Sequence, residues 1–210
     1  MDRVTHLTEL HTLRLRLRAW RSECSESFAT LNADPTVMEH FPEPLSHSQS
    51  DLLADRIEEH LQKEGWGLWA VEVARTQAFA GFVGLNRPAL RARFTPAVEV
   101  GWRLARQYWG NGYTTEAAEA ALAYGFQSRG LAEIVSFTST GNLRCQRVME
   151  KLGMRRNPED DFDHPGLPRD HRLCRHVLYR LTRSDWTAPR DREEAPAAPF
   201  SPEPREGPTP

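Results

Sequence analysis

The stretch "QYWGNGYTTEAAEAAL", residues 107–122, places two glycines around an asparagine directly before a run of helix-forming residues. Asn-Gly between apolar runs usually marks a tight hairpin between two strands. Here no second strand follows, because Thr114, Thr115 and Glu116 lead into alanines at helical spacing. The stretch therefore predicts a glycine-bearing loop that opens a helix.

Such a loop leaves several backbone N–H groups unpaired next to the positive end of the helix dipole, which suits a pyrophosphate. Gly110 and Gly112 let the backbone come close to a ligand, because neither carries a Cβ atom. A purely structural interpretation stays open, in which the glycines only let the helix pack on a strand. The loop contains neither G-x-x-x-x-G-K-[ST] nor G-x-G-x-x-G followed by a ribose-binding acid, so ATP and NAD are not the favoured ligands.

Bulk composition narrows the class of protein. The 210 residues are 39% hydrophobic and 27% charged, which is ordinary for a globular protein, and a net charge of −2 argues against capture of nucleic acid or an anionic membrane. No apolar run could span a bilayer, and the first ten residues lack the apolar core of a signal peptide, so we expect a cytoplasmic protein. Three scattered cysteines do not form a disulfide framework.

Hydrophobic periodicity predicts a mixed α/β fold. Leu13, Leu15 and Leu17 alternate with arginines, which predicts a half-buried strand whose Arg side faces solvent. Further predicted strands and helices occupy residues 46–65 (helix), 66–74, 78–86 and 96–104 (strands), 107–129 (loop and helix), 134–140 (strand), 142–153 (helix) and 172–181 (strand). This order predicts an α/β sheet that is antiparallel in its first half, with helical crossovers where strands become parallel.

The end of the chain differs in composition from the rest. Residues 187–210 hold seven of the fifteen prolines and almost no large apolar side chain. Such a segment cannot bury enough apolar surface to offset the entropy of ordering, so we predict a disordered tail. Residues 1–186 are predicted to form a single domain.

Four segments in a fixed order carry a family resemblance: "VEVGWRL", "WGNGYTTEA", "NLRCQRVMEKLGM" and "VLYRLTRSDW". Together they resemble the GNAT superfamily of acyl-CoA-dependent N-acyltransferases, most closely its RimJ/RimL-like branch, from about Leu13 to Trp186. The resemblance implies the GNAT fold with two splayed central strands. It also implies direct transfer of an acyl group from the CoA thioester to an amine in a ternary complex, with dimers usual among relatives.

The resemblance also implies the residues that bind acetyl-CoA. The family's loop motif is Arg or Gln, two variable residues, Gly, one variable residue, then Gly or Ala. Aligned on the "WGxGYxTEA" context, the loop consists of Trp109, Gly110, Asn111, Gly112, Tyr113 and Thr114. Trp109 stands in the Arg/Gln position and Thr114 replaces the small terminal residue; a rival register from Gln107 to Gly112 also satisfies the spacing.

The pantetheine arm is expected to lie along the strand "GWRL". Backbone groups of Trp102 and Leu104 would hold it, and the Asn142 side chain would hydrogen-bond it from the end of the next strand. Simpler interpretations remain beside these: Trp102 and Leu104 as core side chains, and Asn142 as a helix cap.

Candidate catalytic groups are few. Glu99 is the candidate base, acting through water, with a solvated or paired strand carboxylate as the alternative. Cys145 stands where this branch commonly has serine and could donate an S–H hydrogen bond to the leaving thiolate, or it is only a small buried helix residue. Met149 replaces the acidic tyrosine of many GNAT enzymes, so the general acid is missing. An α-amine is roughly a tenth neutral at pH 7 and needs only a weak base.

The sequence hypothesis is therefore an acetyl-CoA-dependent N-acetyltransferase that acts on a primary amine, either a protein N-terminus or a small molecule. Its acceptor pocket is expected between residues 35–44 and the loop after Asp163. No metal is predicted, because His164, His171, Cys174 and His176 lack a close paired-ligand spacing. Two alternatives are a catalytically silent acyl-CoA-binding module and the same enzyme type using succinyl-CoA.

Overall fold

A computed structural model describes residues 8–186, and the tail predicted for residues 187–210 lies outside them. One sheet of nine strands runs through this part of the chain in the order β1-β2-β3-β4-β5-β6-β9-β7, with β8 also paired to β9. The strands are β1 (Leu10–His11), β2 (Leu15–Arg18), β3 (Leu68–Val73), β4 (Ala78–Asn86), β5 (Glu99–Leu104), β6 (Glu133–Ser139), β7 (Arg155–Arg156), β8 (Phe162–Asp163) and β9 (Arg175–Thr182).

Neighbouring strands from β1 to β5 pair antiparallel, β5 and β6 pair parallel, and β6 pairs antiparallel with β9. Helix α3 lies between β5 and β6 in sequence, because parallel neighbours need a long crossover. The predicted mixed α/β class is confirmed.

Within residues 8–186, four α-helices cover the sheet: α1 (Ser25–Ala33), α2 (His47–Glu64), α3 (Tyr113–Ala123) and α4 (Leu143–Lys151). Helix α2 begins at a capping box between Ser46 and Gln49 and ends at Gly65, which adopts a φ of 74°. Helix α1 is absent from the sequence prediction, because a mostly polar segment conceals its buried Phe28 and Leu31.

The helices pack on opposite faces of the sheet in two apolar clusters. Ile57 and Leu61 of α2 join Trp20 and Phe28 over one face, while the alanines of α3 and Met149 of α4 cover the other. The register of β5 shows which of its side chains face which helices. Arg103 lies opposite Phe82, which belongs to the cluster under α1 and α2. Glu99, Gly101 and Arg103 therefore face α1 and α2, and the residues between them face α3 and α4.

The prediction for the first strand is wrong in two details. The strand begins at Leu15, and Leu13 is 93% exposed in the turn between β1 and β2. Arg18 is not solvated but 2% exposed, and its Nε atom donates to Oε2 of buried Glu72 at 2.6 Å. Alternation alone cannot distinguish a solvated arginine from one whose charge is paired across two strands.

Candidate active site

The central feature of the fold is a gap between two parallel strands. β5 and β6 share a single register pair, Glu99 with Val135, and the Val135 N–H donates to the Val98 carbonyl at 2.9 Å. Beyond that point the strands separate, and a cleft of about 750 Å³ opens between them. It is lined on one side by residues 101–104 and on the other by residues 136–138.

Main-chain groups of β5 face this gap. Because the Val98 carbonyl points at β6, the two-residue period of a strand directs the main chain of Val100, Trp102 and Leu104 the same way. The Leu104 carbonyl accepts the indole N–H of Trp109 at 2.8 Å. The side chain of Leu104 belongs to the core, whereas Trp102 is half-buried and lines the cleft.

The glycine loop closes one end of the cleft, which Trp109, Gly110 and Thr114 line. Gly110 and Gly112 have φ values of 76° and 77°, in the left-handed region that favours glycine. A Cβ on Gly110 would meet no atom within 4 Å, so this glycine is needed for its backbone conformation and not for packing space. No acceptor among residues 8–186 meets the N–H groups from Gly110 to Thr115, and α3 has no side-chain N-cap.

The loop is tied down by residues outside it. The guanidinium of Arg14 donates to the Asn111 carbonyl at 2.9 Å and to Glu116 Oε2 in the first turn of α3 at 2.7 Å. Thr12 Oγ1 also donates to Glu116, at 2.5 Å. The Asn111 side chain donates to the Trp109 carbonyl, and Tyr113 lies under the Arg14 guanidinium. These contacts hold the free amides in place, and no local sequence pattern predicts them, because most of them join residues about a hundred positions apart.

Asn142 and Cys145 lie on the other wall, at the start of α4. The Asn142 side chain accepts the Cys145 N–H at 3.2 Å and donates to Thr138 Oγ1 at 2.9 Å, so the cap is present. Burial raises the pKa of the Cys145 thiol, against hydrogen bonds with Trp102, Asn142 and Thr138. The group is therefore a neutral thiol, able to donate but not to attack. Met149 is buried beside it and also lines the cleft.

Glu99 lies at the vertex where β5 and β6 part, and it lines the cleft. Burial raises its pKa to about 8, although the Asn86 amide donates to Glu99 Oε2 at 3.3 Å and so favours the charged form. The pKa therefore lies near that of an α-amine, which places Glu99 in the range of a general base at neutral pH. A fully solvated strand carboxylate would not have this shift.

The face of the cleft toward α1 carries ionisable side chains. His40 and Arg103 were not predicted as site residues, and His164 and His176 were weighed only as metal ligands. His40 and His176 line it together with Arg103, and His164 lies 5.1 Å from His176 between ring centres. Burial lowers the pKa of all three histidines, so they are neutral at pH 7. The two segments predicted to wall the acceptor pocket both line the cleft, at residues 36–42 and 164–167. The sequence does carry a signal for Arg103, because it lies an even number of residues after Glu99 in a strand and therefore shares its face.

The structure brings together most of the predicted residues. Glu99, Cys145, Trp102, Leu104, Trp109, Gly110, Thr114 and Asn142 all line the cleft. Asn111, Gly112 and Tyr113 belong to the same loop, although their atoms do not line it. Within residues 8–186 no group of histidine, cysteine and acidic side chains could hold a metal ion. His171, one of the residues weighed as a metal ligand, accepts a hydrogen bond from the Leu173 N–H through its Nδ1 atom. Over the same residues, no helix is long and apolar enough to cross a membrane.

Two splayed parallel strands with a free-amide loop at their ends agree with the GNAT fold that the sequence resemblance implies. Comparison with known families agrees: residues 14–155 match the model of the acetyltransferase (GNAT) domain. The chain belongs to the GNAT acetyltransferase family, and it is an acetyltransferase of that type.

Relatives support this assignment at several distances. The chain is 33% identical to YkkB of Bacillus subtilis over 148 residues, which cover 70% of this chain and 85% of YkkB. It is 29% identical to the FsC-acetyl coenzyme A-N(2)-transacetylase of Aspergillus fumigatus over 183 residues, which cover 84% of this chain and 77% of that enzyme. The crystal structure of a GNAT-family acetyltransferase from Bacillus anthracis superposes with a TM-score of 0.70 at 22% identity, covering 84% of this chain and 99% of that one.

Proposed function

We propose that this protein transfers an acetyl group from acetyl-CoA directly to a primary amine, with both substrates bound in the cleft. The observation that carries the proposal is the gap between β5 and β6, with unpaired amides of residues 110–115 at one end and Glu99 at its vertex. The amides suit the pyrophosphate of CoA, and the unpartnered main chain of Trp102 suits the amides of its pantetheine arm. Asn142 contributes the second lone pair of its Oδ1 atom, because the first accepts the Cys145 N–H.

Glu99 then acts on the amine. At pH 7 a carboxyl group of pKa about 8 is roughly one-tenth ionised, and an α-amine is neutral to a similar extent. The ionised carboxylate takes the amine proton, directly or through one water, as the nitrogen attacks the thioester carbonyl. A backbone N–H of Val100 or Trp102, both of which face β6, stabilises the developing oxyanion.

Cys145 assists the departure of the CoA thiolate. Its raised pKa keeps the proton on sulfur, so the thiol donates a hydrogen bond to the leaving group. Met149 has no exchangeable proton, and no tyrosine lines the cleft within residues 8–186. Cys145 is therefore the residue that we assign to the leaving group.

The CoA site is tested with two isosteric variants, Gly110→Asp and Gly110→Asn. Both side chains tolerate positive φ to a similar degree and find open space at this position, so they differ by one negative charge. A carboxylate about 5 Å from two phosphates in water costs on the order of 1.7 kcal/mol, so Gly110→Asp should bind acetyl-CoA at least about tenfold more weakly than Gly110→Asn. Calorimetry measures both affinities, and equal affinities would show that the pyrophosphate does not bind at this loop.

Turnover is tested by thiol release with a panel of amines. Peptides with free N-termini, short amino carboxylates, alkylamines and polyamines are compared with acetyl-CoA as the donor. Acetyl-CoA and succinyl-CoA then compete in the same reaction, and the mass of the product identifies the donor used. Binding of acetyl-CoA without thiol release for every amine would contradict the proposal and support a silent acyl-CoA-binding module.

A further inference from the structure

Arg103 is a buried cation with no anionic partner. It is 9% exposed, and its Nη1 atom donates to Asn32 Oδ1 at 2.5 Å. No carboxylate within residues 8–186 lies within 4.0 Å of its guanidinium. Its Nε atom is buried, and no hydrogen-bond acceptor in the described part of the chain meets it. Arg18, the other deeply buried arginine of residues 8–186, pairs with Glu72.

The surroundings of Arg103 lead to the cleft. Its guanidinium lies 4.1 Å from the centre of the Phe41 ring and 5.5 Å from that of Phe82. Arg103 and Phe41 both line the cleft. The rings stabilise the charge on their faces, but they cannot satisfy an N–H in the guanidinium plane. An unmet donor of this kind, at the wall of a cavity, indicates a ligand that supplies the acceptor.

Arg103 stands on the acceptor side. It faces α1 and α2 together with Glu99, four residues earlier on the same strand. Four residues of extended strand span about 13 Å between Cα atoms, so the two side chains reach opposite ends of one elongated pocket. A molecule whose amine lay at Glu99 would therefore extend toward Arg103 with its other end.

The charge balance of the cleft points the same way. Within the described residues, the only carboxyl groups that line it are Glu39 and Glu99, and Glu99 is mostly neutral at pH 7. His40, His164 and His176 are neutral, since burial lowers the pKa of each. Arg144, Arg147 and Lys151 of α4 add further positive charge to the opposite wall of the cleft, so a polyamine would bring more cations to a site that is already cationic. An acceptor with one negative charge would neutralise Arg103.

We propose that the amine acceptor carries a carboxylate, several bonds from its reacting nitrogen, which binds the free edge of the Arg103 guanidinium. This assignment rests on the proposed function, because it names the substrate class of the same site. A carboxylate matches the planar fork of arginine in two parallel hydrogen bonds, and its single charge balances a single guanidinium. A phosphomonoester would leave negative charge uncompensated between Phe41 and Phe82.

The first test reads the guanidinium directly in the unmodified protein. The ¹⁵N-labelled chain is saturated with CoA, and the Arg103 Nε–H resonance is assigned by its loss in Arg103→Lys. It is then titrated with ω-amino carboxylates of three to six methylenes, the matching alkylamines, and an aminoalkyl phosphate. We expect a saturable downfield shift with the carboxylates alone. No shift with any carboxylate, or tighter binding of the phosphate, would overturn the assignment.

The second test is kinetic and uses the same compounds in the thiol-release assay. A charged, bidentate pair is worth on the order of tenfold to a hundredfold, so kcat/KM should favour each carboxylate over its alkylamine by at least about tenfold. Arg103→Met should lower kcat/KM for each carboxylate at least about tenfold more than for its alkylamine, so that the ratio between the two falls to about one, and exposed Arg75→Met serves as the control. Equal ratios in wild type, or an equal loss for both compound classes in Arg103→Met, would refute the proposal.

The two proposals fail in different ways. Thiol release with alkylamines but no Nε shift with carboxylates would leave the acetyltransferase standing and remove the carboxylate site. A carboxylate-dependent Nε shift with no thiol release from any amine would leave the anion site standing and remove the proposed reaction.

Discussion

Replacing Glu99 with glutamine should make the protein more stable at alkaline pH than the wild type. The wild-type carboxyl group has a pKa of about 8 in the folded chain, raised by burial from an ordinary 4.5. Between these two pH values the folded chain keeps a proton that the unfolded chain has lost. A raised folded pKa contributes stability that is complete below pH 4.5 and is lost as the pH rises through 8.

The size of the effect follows from the shift. Each pKa unit corresponds to 1.36 kcal/mol, so the unfolding free energy lost through Glu99 reaches about 3 kcal/mol at pH 7 and about 5 kcal/mol at pH 9. Glu99→Gln keeps the hydrogen bond from Asn86 and the side-chain volume, but it does not titrate. The variant and the wild type should therefore agree near pH 4.5 and diverge progressively above it.

Urea unfolding from pH 5 to pH 9 measures this difference without any substrate. Glu58→Gln, at an exposed position of α2, controls for the loss of one negative charge and should follow the wild type throughout. Parallel curves for Glu99→Gln and the wild type would show that Glu99 ionises normally. The match between its pKa and that of an amine, on which its role as a base depends, would then fail.

Two further predictions concern the leaving group and the buried ion pair. Cys145→Ala should lower kcat about five- to tenfold with acetyl-CoA affinity unchanged, because one hydrogen bond to the leaving thiolate is lost. Cys145→Ser keeps a hydrogen-bond donor and should retain activity. Equal rates for the two variants would show that the thiol only fills space in the helix interface. Arg18→Met should lower the unfolding free energy measured in urea by about 3–5 kcal/mol, because it leaves the buried Glu72 carboxylate without a partner. Adding Glu72→Leu should restore much of that loss. A loss that persists in the double variant would show that the unpaired carboxylate is not its cause.

Local pattern was sufficient for most of the fold. Leu53, Ile57 and Leu61 recur every four residues, which predicts a helix, and α2 lies between Ser46 and Gly65 in agreement. Apolar and polar residues alternate over 98–103, which predicts β5 and puts Glu99 and Arg103 on one face, as the register shows. The free amides of the loop also follow from local sequence, since Gly110 and Gly112 dictate positive φ and no capping side chain follows them. Helix α1 and the short strands β7 and β8 lack such local signals.

Charge and proximity were decided only by tertiary structure. The sequence by itself determined which faces of β5 are polar and where the amides stand, because periodicity and backbone conformation are properties of neighbouring residues. It could not determine that Arg18 would meet a carboxylate and Arg103 would not, or that Glu99 would be dry enough to hold its proton. Those outcomes depend on desolvation and on distances between groups far apart in the chain, and both are set when the helices close over the sheet.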